Sequence, residues 1–295
     1  MMVSNKIITI FTPTYNRAYK IGKLYNSLLN QTNKNFIWHI VDDGSTDNTA
    51  ELVKGWINED QIEIKYSFQE NGGKQRAHNK GVSLCDTELF LCVDSDDYLT
   101  NNAIEELIHK WNRIVDKTNI SGIVAMCGYT ESDPVKNWLP ENVKYSTLKD
   151  LYSKYKFRGD TLLLYRSDIL RQYPFIVAED EKFIGENYVY LQIDQKYQLC
   201  LLHKILYICE YLPDGYSLNV RKVIKKNPKG YMTLNQLEVL YSKKLRLKYI
   251  NSIKYMVGCI LSKEKHPIKN SSSKFLAVLA YFPALIYLNL KFREK

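Results

Sequence analysis

ELFLCVDSDDYLT, residues 88–100, places three aspartates in four positions at the end of an apolar run. Residues 89–93 read as a buried strand. Asp94, Ser95, Asp96 and Asp97 follow where such a strand leaves the core. Adjacent carboxylates repel one another, and burying them without partners is costly. A divalent cation removes that cost, and a phosphorylated ligand gives the cation a second role. The stretch therefore points to chemistry on a phosphorylated ligand.

Upstream of this stretch, strand and helix patterns alternate. The apolar run 7–11 is stopped by Pro13, and Ile21, Leu24, Tyr25, Leu28 and Leu29 then recur at helical spacing. FIWHIV (36–41) reads as a second strand. DDGSTDNTAELVKGWI supplies a turn and a helix, with Ser45 or Thr46 as its cap. Ile62, Ile64 and Tyr66 mark a third strand, and Gly72 and Gly73 lead into a helix over 74–84. This alternation predicts an open, largely parallel α/β sheet. Ligands of such sheets collect beyond the carboxyl ends of the strands. Asp42 and Asp43, after the second strand, thus belong at the same rim as residues 94–97.

Downstream the pattern is less regular. Strands are expected within 120–129 and 161–165, a helix near 148–155 capped by Ser146, a helix over 188–201 and an extended segment at 205–209. Beyond Lys229 the chain reads as helical and basic. A chain of 295 residues accommodates one large domain, 1–220, and a mostly helical C-terminal region, 221–295.

Composition, at 45% hydrophobic and 25% charged residues, argues against a disordered or fibrous chain. The net charge of +9 is unevenly placed. Residues 221–295 hold 17 lysines and arginines against three glutamates, a balance of +14, which leaves −5 for the first 220. Nucleic acid is set aside as a partner, because zinc-finger spacing, an Arg-rich helix and an aromatic-basic strand pattern are all missing. Six cysteines without a CxxC pair predict reduced, buried thiols. The first residues show no apolar stretch long enough for a signal peptide, so a cytoplasmic chain is expected.

Four motifs in order, FTPTYNR (11–17), VDDGSTD (41–47), NGGKQRAHNKG (71–81) and VDSDDYL (93–99), resemble family 2 glycosyltransferases over residues 6–220. The resemblance implies the fold called GT-A, a Rossmann-like open mixed sheet flanked by helices, here with a C-terminal helical extension. It implies a metal-dependent inverting enzyme. The sugar would move from a nucleotide-diphosphate donor, a UDP-sugar above all, to a hydroxyl of a saccharide or lipid-linked glycan in cell-surface polysaccharide synthesis.

By the same resemblance Asp43 contacts the base or ribose, Thr12 and Pro13 lie in the same pocket, and Tyr15 stacks on the base. Asp94, Ser95 and Asp96 occupy the DxD position. Asp96 is expected to ligate Mn²⁺ or Mg²⁺, and Asp94 to hold ribose or act through water. Asp97 adds charge or caps a helix starting near Thr100. Lys74 and Arg76 neutralise donor phosphate or position the sugar, and His78 can also point inward. The spacing GxxxxGK[ST] is absent, which excludes a Walker A reading of the GGK triplet.

Inverting transfer needs a base for the acceptor hydroxyl. The family places an ED pair before a late helix. Here residues 185–187 are GEN: Glu186 matches the glutamate, and Asn187 stands in the aspartate's place and cannot be a base. Glu186 is the expected catalytic residue, with Asp180 and Glu181 of AEDEKF as alternatives. Asn187 also keeps open a non-catalytic nucleotide- or glycan-binding member of the fold. A sugar nucleotidyltransferase would carry a Gly-rich signature after the first strand, where TPTYNRAYK has none. In ICEYLPDGYS (208–217), Asp214 or Tyr216 either lies over the diphosphate or forms part of a plain turn.

The tail KFLAVLAYFPALIYLNLKF (274–292) has an apolar body of 16 residues, 275–290, with Pro283 inside. A membrane crossing needs about 20. Basic flanks with Tyr281, Phe282 and Tyr287 suit an interfacial helix pair on an anionic inner-membrane surface. A C-terminal helix docked on the core, or on the partner of a homodimer, is the alternative.

Overall fold

The computed structural model describes residues 6–210 and 216–292. Asp214 and the side chain of Tyr216 fall outside that description. The chain runs β1 (Ile8–Thr14), α1 (Gly22–Leu29), β2 (Phe36–Asp42), α2 (Thr49–Glu59), β3 (Ile64–Phe68), α3 (Lys74–Leu84) and β4 (Leu89–Cys92). It continues with β5 (Tyr98–Leu99), α4 (Ala103–Asn112), β6 (Ile120–Gly128), β7 (Tyr145–Ser146), α5 (Leu148–Ser153), β8 (Thr161–Arg166) and α6 (Ser167–Leu170). Then come α7 (Asn187–Ile193), β9 (Gln198–Ile208), α8 (Tyr216–Lys226), α9 (Pro228–Tyr241), α10 (Leu245–Ser262) and α11 (Lys274–Phe292). Two compact units emerge: residues 1–174 with 192–210, and residues 175–191 with 211–295.

The first unit is a mixed α/β fold around one sheet, ordered β3-β2-β1-β4-β8-β6-β9-β5, with β7 beside β9. β1 pairs in parallel with β2 and β4, and β2 with β3. β8 runs antiparallel between β4 and β6. β2 is buried along its whole length, as a strand covered on both faces must be. Because three neighbouring strands are parallel, Thr14, Asp42 and Cys92 end at one rim.

Several local expectations are corrected here. The helix expected over 188–201 stops at Ile193, and β9 takes up the rest. Leu199, Cys200 and Leu201 pair with β6 and are buried in the sheet; an apolar run of this length fits either period, and pairing decided it. Thr147, not Ser146, caps α5, accepting from the Asp150 N–H at 3.0 Å. Neither Ser45 nor Thr46 caps α2; Asp47 Oδ1 instead accepts from Thr49 N–H at 3.1 Å and Thr49 Oγ1 at 2.5 Å. The six thiols are free; Cys85, Cys127, Cys200 and Cys259 are buried as expected, whereas Cys92 and Cys209 are only half-buried.

A single boundary at 220 is also corrected. Residues 175–191 belong with the C-terminal helices because Glu181 is built into the start of α9. Its carboxylate accepts from the N–H groups of Lys229 and Gly230, both at 2.7 Å, and Asn227 Oδ1 accepts from Lys182 N–H at 2.8 Å. A Cβ at Gly230 would lie 2.2 Å from the Phe183 carbonyl oxygen, so only glycine permits this approach.

In the same unit α10 packs on α11 through Ala277, Ala280 and Ala284. The expected helix pair at 274–292 is one continuous helix through Pro283. Proline removes the N–H that would bond the carbonyl four residues back. That carbonyl is Leu279's, and Tyr249 Oη of α10 lies 3.4 Å from it as a replacement donor.

Candidate active site

Two loops beyond the rim are laced together. Asn16 N–H donates to Ser45 Oγ at 2.9 Å, Asn16 Oδ1 accepts from Thr46 N–H at 2.7 Å, and Asp47 Oδ2 accepts from Ala18 N–H at 3.0 Å. This lacing joins the turn after β1 to the turn after β2. Tyr15 stands at the rim with 48% of its surface exposed, and Pro13 is half-buried. Thr12 departs from expectation: it is fully buried, with Oγ1 accepting from Trp38 Nε1 at 3.0 Å. Its hydroxyl supports the strand and is not presented to the rim.

Asp42 and Asp43 are both buried yet differently employed. Asp42 accepts from Ser45 N–H and Tyr66 Oη, each at 2.7 Å, and closes its own turn. Asp43 reaches the next loop. Oδ1 accepts from Gln69 Nε2 at 2.7 Å and Gly72 N–H at 2.8 Å, and Oδ2 from Gly73 N–H at 2.8 Å. Gly73 turns the chain into α3 at φ +93°, a conformation that favours glycine. One carboxylate thus fixes where α3 begins.

The start of α3 carries the expected cations. Lys74 Nζ sits 2.8 and 2.9 Å from the two oxygens of Asp94. Arg76 Nη1 donates to the Gly72 carbonyl at 2.8 Å. His78 is a correction: it is buried edge-on to Phe11 and Phe90, with centroids 5.6 and 5.3 Å away. Burial, and then the Lys74 charge, hold its pKa down to about 3, so it is a neutral core residue.

Oxygens of Asp94, Asp96 and Asp97 lie within 4.8 Å of one another. Ser95 is buried between them. Asp97 does not cap α4, whose N-cap is Asn102. Instead it accepts from Tyr207 Oη at 2.8 Å and from Glu210 N–H at 2.7 Å. Tyr207 Oη in turn accepts from Asp94 N–H at 3.0 Å. Burial, and then the Asp94 charge, push Asp97 up to about 7 and raise Asp96 as well.

These residues fit a divalent cation. The donor set is all oxygen, suited to a hard ion, and burial and then mutual repulsion raise Asp96 and Asp97.

Tyr207 and Glu210 were missed by sequence reasoning. The segment 208–217 holds Glu210, but Asp214 and Tyr216 were singled out in it, and Tyr207 read only as part of the extended segment 205–209. The β5–β9 pairing, with Leu99 opposite Tyr207, is what brings Tyr207 beneath the acidic loop. Glu210 also accepts from Lys20 at 2.8 Å and from Lys23, which ties the loop to the start of α1.

Glu186 lies in the other unit, exposed and immediately before α7. Its two alternatives are engaged: Glu181 at the start of α9, and Asp180 with Lys229 Nζ at 2.7 Å, a contact that lowers the Asp180 pKa.

The family profile described as Glycosyl transferase family 2 matches residues 9–174. Glycosyltransferase GlyG of Streptococcus pneumoniae is 33% identical over 130 residues, which are 44% of this chain and 42% of that protein. Glycosyltransferase GlyA of the same organism is 28% identical over 237 residues, 75% of this chain and 32% of that protein. The chain therefore spans less than half the length of either relative. Among solved structures, S. aureus TarS 1-349 in complex with UDP gives a TM-score of 0.56 at 18% identity, covering 94% of this chain and 87% of that one. That likeness is one of fold.

Proposed function

The chain belongs to glycosyl transferase family 2, and from that premise we propose an inverting enzyme that moves a sugar from a UDP-sugar to a hydroxyl of a saccharide or lipid-linked glycan. The pathway proposed is cell-surface polysaccharide synthesis, and the setting the cytoplasmic, inner face of the cell membrane. One observation carries the reading. Asp94, Asp96 and Asp97 converge beyond β4, facing Lys74 on a helix start that Asp43 fixes.

In this reading Tyr15 stacks on the base, beside Pro13. Asp43 acts through the glycine loop it holds, and so sets the places of Lys74 and Arg76. Those two cations bind and orient the donor diphosphate. Asp96 would be the principal ligand for Mn²⁺ or Mg²⁺, with Asp94 and Ser95 alongside. Bound there, the ion would stabilise negative charge on the diphosphate leaving group.

The proton is assigned to Glu186, because Asp180 and Glu181 are committed to Lys229 and to the start of α9. Glu186 takes the acceptor hydroxyl's proton. The oxygen attacks C1 of the sugar from the face opposite the diphosphate. The C1–O bond to phosphate breaks, and nucleoside diphosphate leaves with the bonding pair.

The test is a panel of nucleotide-sugars offered to the purified protein with Mn²⁺, scored by slow donor hydrolysis. UDP-sugars should be turned over, and a chelator should stop it. Turnover of another nucleotide's sugars alone would replace the donor. UDP binding without turnover of any donor would favour the non-catalytic reading that Asn187 keeps open.

A further inference from the structure

α11 packs with its small residues inward and its large ones outward. Ala277, Ala280 and Ala284 are fully buried against Met256, Val257 and Cys259 of α10. Phe275, Phe282 and Leu290 are each at least 70% exposed, and Val278, Leu279 and Ile286 about half exposed. At roughly 100° per residue these six fall within an arc of about 120°, opposite the alanines. The stripe runs about 22 Å along the helix. A helix that served only to close a water-soluble core would bury those side chains.

The helix packed beside α11 begins with cations. The Tyr249–Leu279 contact sets the first turns of α10 beside the middle of α11. Leu245, Leu247 and Ile250 are exposed there too, interspersed with Lys243, Lys244, Arg246 and Lys248. Between Lys243 and Phe292, ten lysines and arginines stand against a single acid, Glu264.

We propose that the outward face of α11, with the exposed leucines and isoleucine at the start of α10, docks into the headgroup layer of an anionic bilayer. This deepens the inner-membrane setting proposed above by naming the surface that makes the contact. Charge chooses the occupant. A second copy of this chain would bring its own Lys243, Lys244, Arg246 and Lys248 against these four, whereas anionic headgroups neutralise them. The apolar stripe gives insertion, and the basic start of α10 gives an attraction that salt screens. A spanning helix fits less well. The alanine seam is held by α10, where Asn251 and Ser252 are buried in the same unit.

The test is flotation of the full chain with phosphatidylcholine vesicles, with and without phosphatidylglycerol, at low and high salt. Binding should require phosphatidylglycerol and weaken with salt. Phe275→Ser combined with Phe282→Ser should weaken partition at least about tenfold, while a circular-dichroism melt stays unchanged because both side chains are outside the seam. Lys244→Glu combined with Arg246→Glu should weaken it through the charge arm alone. Equal binding to neutral vesicles that survives alkaline carbonate would overturn the proposal in favour of a span. Absence of flotation would overturn it as well, and a dimer lost in the Phe275→Ser, Phe282→Ser variant would then assign the surface to self-association. Partition is read without any sugar donor, so failure here leaves the transfer reading standing.

Discussion

Two acidic runs, residues 94–97 and 179–181, look alike in sequence and meet opposite surroundings. Glu181 has two backbone N–H donors at the start of α9, and Asp180 has Lys229. The second run is therefore complete as structure, and Lys229 lowers the Asp180 pKa. In the first run burial and mutual repulsion raise Asp96, and push Asp97 up to about 7. The same side chain is driven down by a cationic donor at Asp180 and up by burial and a neighbouring carboxylate at Asp97. A cap that is finished needs nothing further, whereas carboxylates buried together so that burial and mutual repulsion outweigh their donors mark a place where a ligand completes the chemistry.

The comparison breaks first at Asp96 if it is wrong. Asp96→Ala should lower transfer by about 10²–10³-fold or more, the range for losing electrostatic stabilisation of a leaving group. The apo protein should melt no lower than wild type, since the substitution removes a repelled charge. Wild-type transfer by Asp96→Ala would show that the gathered carboxylates are ornamental. Next in size is Glu186→Gln, expected to cost roughly 10²-fold in transfer through loss of a general base. Donor and metal affinity should be unchanged by calorimetry. Normal transfer in this variant moves the proton elsewhere.

The rim was legible because it depends on order along the chain. Parallel strands put their carboxyl ends together, so Asp43 and Asp94 could be placed at one edge though 51 positions separate them. The family motifs added roles to that edge. What could not be read was satisfaction. Thr12 faces the core because strand alternation turns it to Trp38, and His78 because α3 rolls it onto Phe11 and Phe90. Glu181 looked like a candidate base until α9 was seen to start on it. Tyr207 looked like one more strand residue until the β5 pairing set it under Asp97. Each of these facts is a long-range contact that sequence periodicity does not encode.

Glu181 sharpens the comparison from the structural side. Glu181→Ala should destabilise by about 2–3 kcal/mol, since one buried and one part-buried N–H group lose a charged acceptor and the helix start loses its anion. Chemical denaturation measures this. Transfer per folded molecule should stay at wild-type rates, unlike in Glu186→Gln. A large fall in transfer by a Glu181→Ala protein that remains folded would make Glu181 the base.

The smallest expected effect concerns the one hydroxyl that bridges the acidic loop. Tyr207 Oη donates to Asp97 and accepts from Asp94 N–H, so Tyr207→Phe removes a donor from a carboxylate already pushed up to about 7. A hydrogen bond to a charged acceptor contributes on the order of 1–2 kcal/mol, or about one pKa unit. The sign follows from linkage. Unfolded, Asp97 ionises near its ordinary value; folded, it keeps its proton until about 7. Its contribution to stability therefore falls as pH rises between those two values and is level above the folded one. In Tyr207→Phe the folded value moves higher, so the fall continues past the pH at which the wild type has levelled. Melting profiles in chelator between mildly acidic and mildly alkaline pH should show the two proteins diverging by about 1 kcal/mol on the alkaline side. Mn²⁺ affinity, read by calorimetry, should weaken up to about tenfold as the loop loosens. Parallel melting profiles together with unchanged Mn²⁺ affinity would show that Glu210 N–H holds Asp97 unaided, and that Tyr207 is packing.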